Sequence, residues 1–213
     1  ADGRIKDAGQ GGPQALRKYE EAGNMYLALA KKCAVEPIDA GQAATCAKPE
    51  EILWNAAEAF QSARLVVKSI QTRQYLLNPK YKMDQTDFAR RSMYKIGGNY
   101  QAIAVYDQAA EWYERYAKAY PSADKADAAL SDAVVLRLGL GQEKEAIEDT
   151  DFFLKTYGSK KPAQTAQVAF AIGAHYVERE DWDMARKRLS GAMKMIDANA
   201  TLDVQVQAHA LLG

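Results

Sequence analysis

The stretch "YKIGGNYQAIAVYDQAAEWYERYAKAYP" (residues 94–121) decides the fold. Its apolar residues recur at three- and four-residue steps, the period of an amphipathic helix, and the two-residue alternation of a strand is missing. The period carries one helix over about 86–104 and a second over 106–120. Pro121 closes the second, because proline lacks the N–H that a helix needs and its ring clashes with the preceding turn. Trp112, Tyr113, Tyr116 and Tyr120 crowd the second helix, interleaved with Glu111, Glu114, Arg115 and Lys118. Tyr113, Tyr116 and Tyr120 share one face, as a packing stripe does; Trp112 lies off it, with its role open.

The same pattern recurs along the chain. "AFAIGAHYVEREDWDMARKRLSGAMKMID" (169–197) aligns with 94–121 without a gap: Ile96-Gly97 falls on Ile172-Gly173, Tyr100 on Tyr176, Tyr106 on Trp182 and Ala109 on Ala185. Residues 132–158 join through Ala133-Val134, Gly141, Ala146 and Phe153, and 55–79 through Ala56-Ala57 and Phe60. All six prolines fall at helix starts or ends: Pro13, Pro37, Pro49, Pro79, Pro121 and Pro162. Helices are expected at about 13–33, 49–64, 66–78, 86–104, 106–120, 125–139, 142–157, 162–180, 182–197 and 201–213.

These residues resemble the tetratricopeptide repeat, whose first helix carries a Leu-Gly pair and a Tyr and whose second carries Ala, an aromatic, Ala and a closing Pro. The matching pairs are Ala56-Ala57, Ile96-Gly97, Ala133-Val134, Ile172-Gly173 and Leu212-Gly213, spaced 40, 37, 39 and 40 residues apart. That exceeds the family's usual period of about 34, so the linkers between hairpins carry extra residues. Val134 departs from the small position, and Gly158 and Asp197 replace the closing Pro. The resemblance covers about 49–213, with a second helix of an earlier repeat in 18–33. It implies an all-α fold, a right-handed superhelix of antiparallel helix hairpins. A flexible segment 1–12 precedes a repeat domain 13–213, divided into a partial repeat 13–48, repeats at about 49–85, 86–124, 125–161 and 162–200, and a truncated repeat 201–213. Gly97, Gly173, Ala109, Ala146 and Ala185 are expected where helix backbones approach closely.

In such an array the first helices line a concave groove. The groove positions are Glu51, Trp54, Glu58 and Gln61; Arg91, Tyr94, Gly98 and Gln101; Ala128, Ser131, Val135 and Leu138; and Gln167, Phe170, Ala174 and Val177. The Lys and Asn clamp with which chaperone-binding relatives grip a peptide carboxylate is absent. Trp54, Tyr94 and Phe170 occupy one position in separate hairpins, a pattern suited to capturing an apolar helix or extended segment. Packing of the same three against a neighbouring hairpin or a following helix is the alternative. The expected partner-binding residues are Trp54, Glu58, Gln61, Arg91, Tyr94, Gln101, Gln167 and Phe170.

Composition narrows the functional classes. Lys plus Arg equals Asp plus Glu, at 28 each, so bulk charge favours neither nucleic acid nor an anionic membrane surface. No apolar run approaches the roughly 20 residues of a membrane span. His175 and His209 are the two histidines, and only Glu178 stands near either at ligand spacing, far short of a zinc site. The motifs GxSxG and HExxH and the P-loop are missing, "GLG" (139–141) lacks a third glycine, and the carboxylates read as solvated outer faces. No enzyme, metal or cofactor is expected. Cys33 and Cys46 flank the loop "CAVEPIDAGQAATC"; a disulfide between them would suit an oxidising compartment, and the alternative is two unrelated buried thiols. The chain is thus expected to be a protein-interaction scaffold of a larger assembly, similar to periplasmic repeat proteins of bacterial envelope and motility machines. The alternatives are a ligand-sensing regulatory protein or the repeat region of an enzyme whose catalytic domain lies elsewhere.

Overall fold

A computed structural model describes residues 12–35, 46 and 48–213. The segment read as flexible, apart from Gly12, and residues 36–45 and 47 of the cysteine loop lie outside the described residues. The described chain contains ten α-helices: α1 (Pro13–Val35), α2 (Pro49–Ser62), α3 (Val66–Leu77), α4 (Asp87–Ala102), α5 (Tyr106–Ala119), α6 (Ala126–Gly139), α7 (Glu143–Tyr157), α8 (Pro162–Glu178), α9 (Trp182–Asn199) and α10 (Leu202–Leu212). A 3₁₀ turn at Pro79–Tyr81 follows α3, and no strand occurs among the described residues. Pro49 and Pro162 stand at the first turns of α2 and α8, where a missing N–H costs nothing. Thr86 caps α4 by accepting from the Ala89 N–H at 3.2 Å, and Asp181 caps α9 by accepting from Met184 N–H at 3.1 Å.

One turn recurs wherever a first helix hands over to a second. Arg64, Ala104, Gly141 and Glu180 all adopt the left-handed conformation, with φ of 61°, 59°, 71° and 60°. The next residue donates its N–H back to a carbonyl in the last turn of the helix: Leu65 to Phe60 at 2.9 Å, Val105 to Tyr100 at 3.0 Å, Gln142 to Arg137 at 2.8 Å and Asp181 to Tyr176 at 3.0 Å. This is the Schellman closure, which satisfies carbonyls that a helix end leaves orphaned. Glycine fills its left-handed position in only one of the four turns.

The chain divides into two compact units, residues 1–105 and 106–213. In the first, α2 packs on α1, α3 on α2, and α4 on both α3 and α2. Its core is built by Ala22, Tyr26, Ala56, Ala59 and Phe60, and by Ala30, Leu53, Leu76, Met83 and Ala89. A Cβ added at Gly23 would lie 2.7 Å from the Phe60 ring, so α1 approaches α2 as closely as glycine allows. Ser69 Oγ donates to the Ala57 carbonyl at 2.9 Å and accepts from Asn99 Nδ2 at 3.2 Å, a buried chain through α2, α3 and α4. Cys33 and Cys46 are paired, their Cα atoms 5.3 Å apart, and both are buried.

The second unit repeats the scheme: each of α6 to α10 packs on its predecessor, α8 also on α6, and α10 also on α8. Gly173 takes the close-approach role expected of it, since a Cβ there would meet Leu189 Cδ2 at 2.4 Å. Ala109, Ala146 and Ala185 are buried as well. Val134 is fully buried, so the small position is filled by a larger side chain in that hairpin. The tyrosine stripe behaves as packing: Tyr113 and Tyr116 are buried, and Tyr116 donates its hydroxyl to the Asp124 carbonyl at 2.6 Å, tying α5 to the following linker. Trp112 is buried too, under the Arg115 guanidinium at 4.3 Å, so its place off the stripe does not free it. Tyr106 and Trp182, equivalent first residues of α5 and α9, remain exposed.

Candidate partner-binding site

The expected groove residues of α2 and α4 meet in the first unit. Trp54, one turn before Glu58 on α2, is covered on its ring by two guanidinium groups, Arg91 of α4 at 4.4 Å and Arg73 of α3 at 4.7 Å. Phe88 of α4 stands 5.6 Å from it. The indole is only 8% exposed, so α2 presents it through the exposed Arg91 rather than as a bare ring. Glu58 Oε1 accepts from Arg73 Nη2 in a short, charge-assisted bond, and Lys95 Nζ approaches the same oxygen at 3.8 Å. Gln61 Oε1 accepts from Arg73 Nη2 at 3.1 Å.

Arg73 organises this cluster from below. Its side chain is completely buried, and burial pushes its pKa down while the Glu58 carboxylate opposes the shift. Two of its guanidinium nitrogens, Nε and Nη1, have no hydrogen-bond acceptor; the face of Trp54 is their compensation. Two cations, Arg73 and Lys95, thus share the Glu58 carboxylate, while Arg91 lies on the Trp54 ring. Sequence reading missed Arg73, although a signal existed: it sits three residues from both Ile70 and Leu76, inside the buried stripe of α3, where a lone cation requires a partner.

Of the remaining expected residues, Tyr94 is half-buried on α4 and Gln101 is exposed in its last turn. In the second unit, Gln167 is exposed on α8, whereas Phe170 is half-buried and packs on the cluster of Ala166, Ala192, Ile196 and Ala208. Phe170 therefore contributes to the packing around α8, α9 and α10.

The second unit also corrects the reading of its carboxylates as solvated. Arg137 of α6 donates Nε and Nη2 to Glu114 of α5 at 2.5 and 3.0 Å, and Nη1 to Gln142 at 2.6 Å. Asp149 of α7 is 1% exposed. Lys118 Nζ of α5 lies 2.7 Å from Asp149 Oδ1, an ion pair between α5 and α7. Burial lifts its pKa to about 7, with the nearby Glu114 adding to the rise and Lys118 opposing it. Tyr176 of α8 donates to Glu143 of α7 in a short bond. Among the described residues no three His, Cys, Asp or Glu side chains converge as metal ligands, and no helix is long and apolar enough to cross a membrane.

Solved structures share the fold. BtubC (BKLC) from P. vanneervenii matches with a TM-score of 0.51 at 16% identity, over 93% of this chain and 82% of its own. A kinesin light chain from Podosopora anserina with nearly identical TPR-like repeats matches with a TM-score of 0.51 at 15% identity, over 84% of this chain and 94% of its own. A single-substitution variant of that protein gives 0.50 at 14% identity, over 85% and 94%. The fold is that of tetratricopeptide-like repeats. The likeness read from the sequence is thus a likeness of architecture. No family model matches the chain, and no curated protein matches it.

Proposed function

We propose that this tetratricopeptide-like chain is a non-catalytic scaffold for protein interactions, and that α2 and α4 of its first unit hold a helix or extended segment of the partner. The observation that carries this reading is the stack on Trp54. Arg91 is exposed yet already parked on the indole, and Lys95 and Arg73 are fixed by Glu58. Side chains ordered before binding lose less rotamer freedom on association. Tyr94 and Gln101 extend this face along α4; Gln167 and Phe170 are the proposed counterparts on α8. The partners are other proteins of a larger assembly, without nucleic acid or membrane insertion of this segment. The Cys33–Cys46 pair favours an oxidising compartment, and the periplasm or cell envelope is the proposed location.

The test is a pull-down from envelope extract with the wild-type chain and two variants, Arg91→Ala/Lys95→Ala and Trp54→Ala/Tyr94→Ala, each with its thermal midpoint. The Arg91/Lys95 variant should lose the recovered partner and keep its midpoint. The Trp54/Tyr94 variant should lose the partner together with stability, as truncated buried aromatics cost about 3–5 kcal/mol. Equal recovery by all three proteins would refute the assignment of the binding face to α2 and α4.

A further inference from the structure

The first unit holds a second concavity, of about 570 Å³, that shares no lining residue with the Trp54 site. It lies between α1 and α3, over Phe60 of α2, and so belongs to the second helices of successive hairpins rather than to the first. Its polar lining consists of four carboxamides, Asn24, Gln71, Gln74 and Asn78, the hydroxyl side chains Thr72 and Tyr75, and two ammonium groups, Lys31 and Lys68. Among the described residues no carboxylate lines it.

Both cations are steered into position. Lys31 Nζ lies 5.5 Å from the centre of the Tyr75 ring, and Lys68 Nζ 5.6 Å from that of Phe60. Each aromatic face holds an ammonium group at the cleft without neutralising it. Lys68 also reaches Glu20 Oε1 at 2.8 Å, with both side chains nearly half exposed. A carboxamide offers a donor and an acceptor, which matches the alternating C=O and N–H groups of an extended backbone. Two ammonium groups with no lining carboxylate fix the sign of the side chains such a backbone should carry.

We propose that this cleft binds an extended acidic peptide segment of a partner protein, its backbone on the carboxamides and its carboxylates on Lys31 and Lys68. Glu20 is then an internal rival: its carboxylate occupies Lys68 in the free protein and must yield it to the peptide. This site stands apart from the groove proposed above, and its test separates the two.

The experiment is fluorescence anisotropy of the full chain with a fluorescein-labelled hexaglutamate peptide, capped at both ends, at low ionic strength. Lys31→Gln and Lys68→Gln should each weaken binding by about fivefold or more, the scale of a lost charge-assisted bond at a half-exposed site. Glu20→Gln should tighten it, because Lys68 is released. Arg91→Gln, on the other face, should leave it within about twofold, and a capped hexaglutamine peptide should bind at least about tenfold more weakly. Thermal midpoints unchanged from wild type verify that these surface variants are folded. Wild-type affinity in both lysine variants overturns the proposal. So does a loss in Arg91→Gln as large as in Lys31→Gln, which would move the peptide to the first helices. Displacement by inorganic phosphate at concentrations equal to those of unlabelled peptide also overturns it, because a simple anion site would need no peptide backbone.

Discussion

Replacing Ala104 by glycine should make the protein more stable, although it deletes a methyl group. Ala104 holds the left-handed position of its turn at φ 59°, and its side chain is exposed, so truncation removes no packing. An L-residue in that conformation carries about 1–2 kcal/mol of strain. Glycine relieves the strain but gains freedom in the unfolded chain worth about 0.4–1 kcal/mol. The net is a gain of about 0.5–1 kcal/mol, and the argument transfers to Arg64 and Glu180, which are also exposed and left-handed. The three turns lie in different hairpins, so their effects should add to about 1.5–3 kcal/mol. In a chain of this size that corresponds to roughly 3–12 °C in thermal midpoint. Gly141→Ala is the converse: nothing lies within 4 Å of the added Cβ, so only backbone strain enters, and the variant should lose about 0.5–1 kcal/mol. Calorimetry of the triple glycine variant and of Gly141→Ala decides the matter. A triple variant no more stable than wild type, beside a neutral Gly141→Ala, would refute the idea that the left-handed residue is what closes each hairpin.

Three further outcomes follow from the packing and charge. Asp149 has a folded pKa raised to about 7, so its contribution to stability is present at low pH and lost as the pH rises from about 4 through about 7; the unfolding free energy from urea titrations should fall over that window by at most about 1.4 kcal/mol per pH unit. Asp149→Asn should flatten this dependence and exceed wild type above pH 7, and an unchanged slope would mean that another group titrates. Gly173→Ala should cost about 1–3 kcal/mol by overpacking Leu189, and Leu189→Ala should remove most of that penalty in a double-mutant cycle. Reducing the Cys33–Cys46 bond should cost roughly 3 kcal/mol, as loop closure of about this length does, and alkylation of two thiols in the native, unreduced protein would show that the bond is not made.

How far the fold could be read from the sequence depended on whether a boundary is signalled locally. Pro49 and Pro162 mark the starts of α2 and α8 directly, because the physics of proline is carried by one residue. The ends of first helices show the converse. The expected limits 64, 104 and 180 overshoot Ser62, Ala102 and Glu178 by two residues, and in each case the overshoot stops on the left-handed residue itself. Where glycine occupies that position, at Gly141, the expected end at Gly139 agrees with the structure. Arg64, Ala104 and Glu180 give no sign of their conformation, which the tertiary packing imposes. At the candidate site, the helical frame brought Trp54, Glu58, Gln61 and Arg91 to one place. It marked the buried position of Arg73 between Ile70 and Leu76 but could not supply its partner, nor the burial of Asp149, because the pairs form between helices: Arg73 with Glu58, and Asp149 with Lys118.

The turns are constant, but the return paths are not. The second helices lengthen along the chain, α3, α5, α7 and α9 having 12, 14, 15 and 18 residues, while the linkers after them shrink from 78–86 to 120–125, 158–161 and 200–201. Residues pass from extended chain, which spans up to about 3.5 Å each, into helix, which rises about 1.5 Å each. Slack is therefore concentrated early. The linker 78–86 has room for its own 3₁₀ turn and a left-handed Lys82 before Met83 anchors it in the core, so an epitope or affinity tag belongs at its exposed start, beside Pro79 and Lys80. At 200–201 no such reserve exists. One residue added there and absorbed into the helix would swing α10 by about 100° about its axis, and turn Ala208 away from the cluster it now completes.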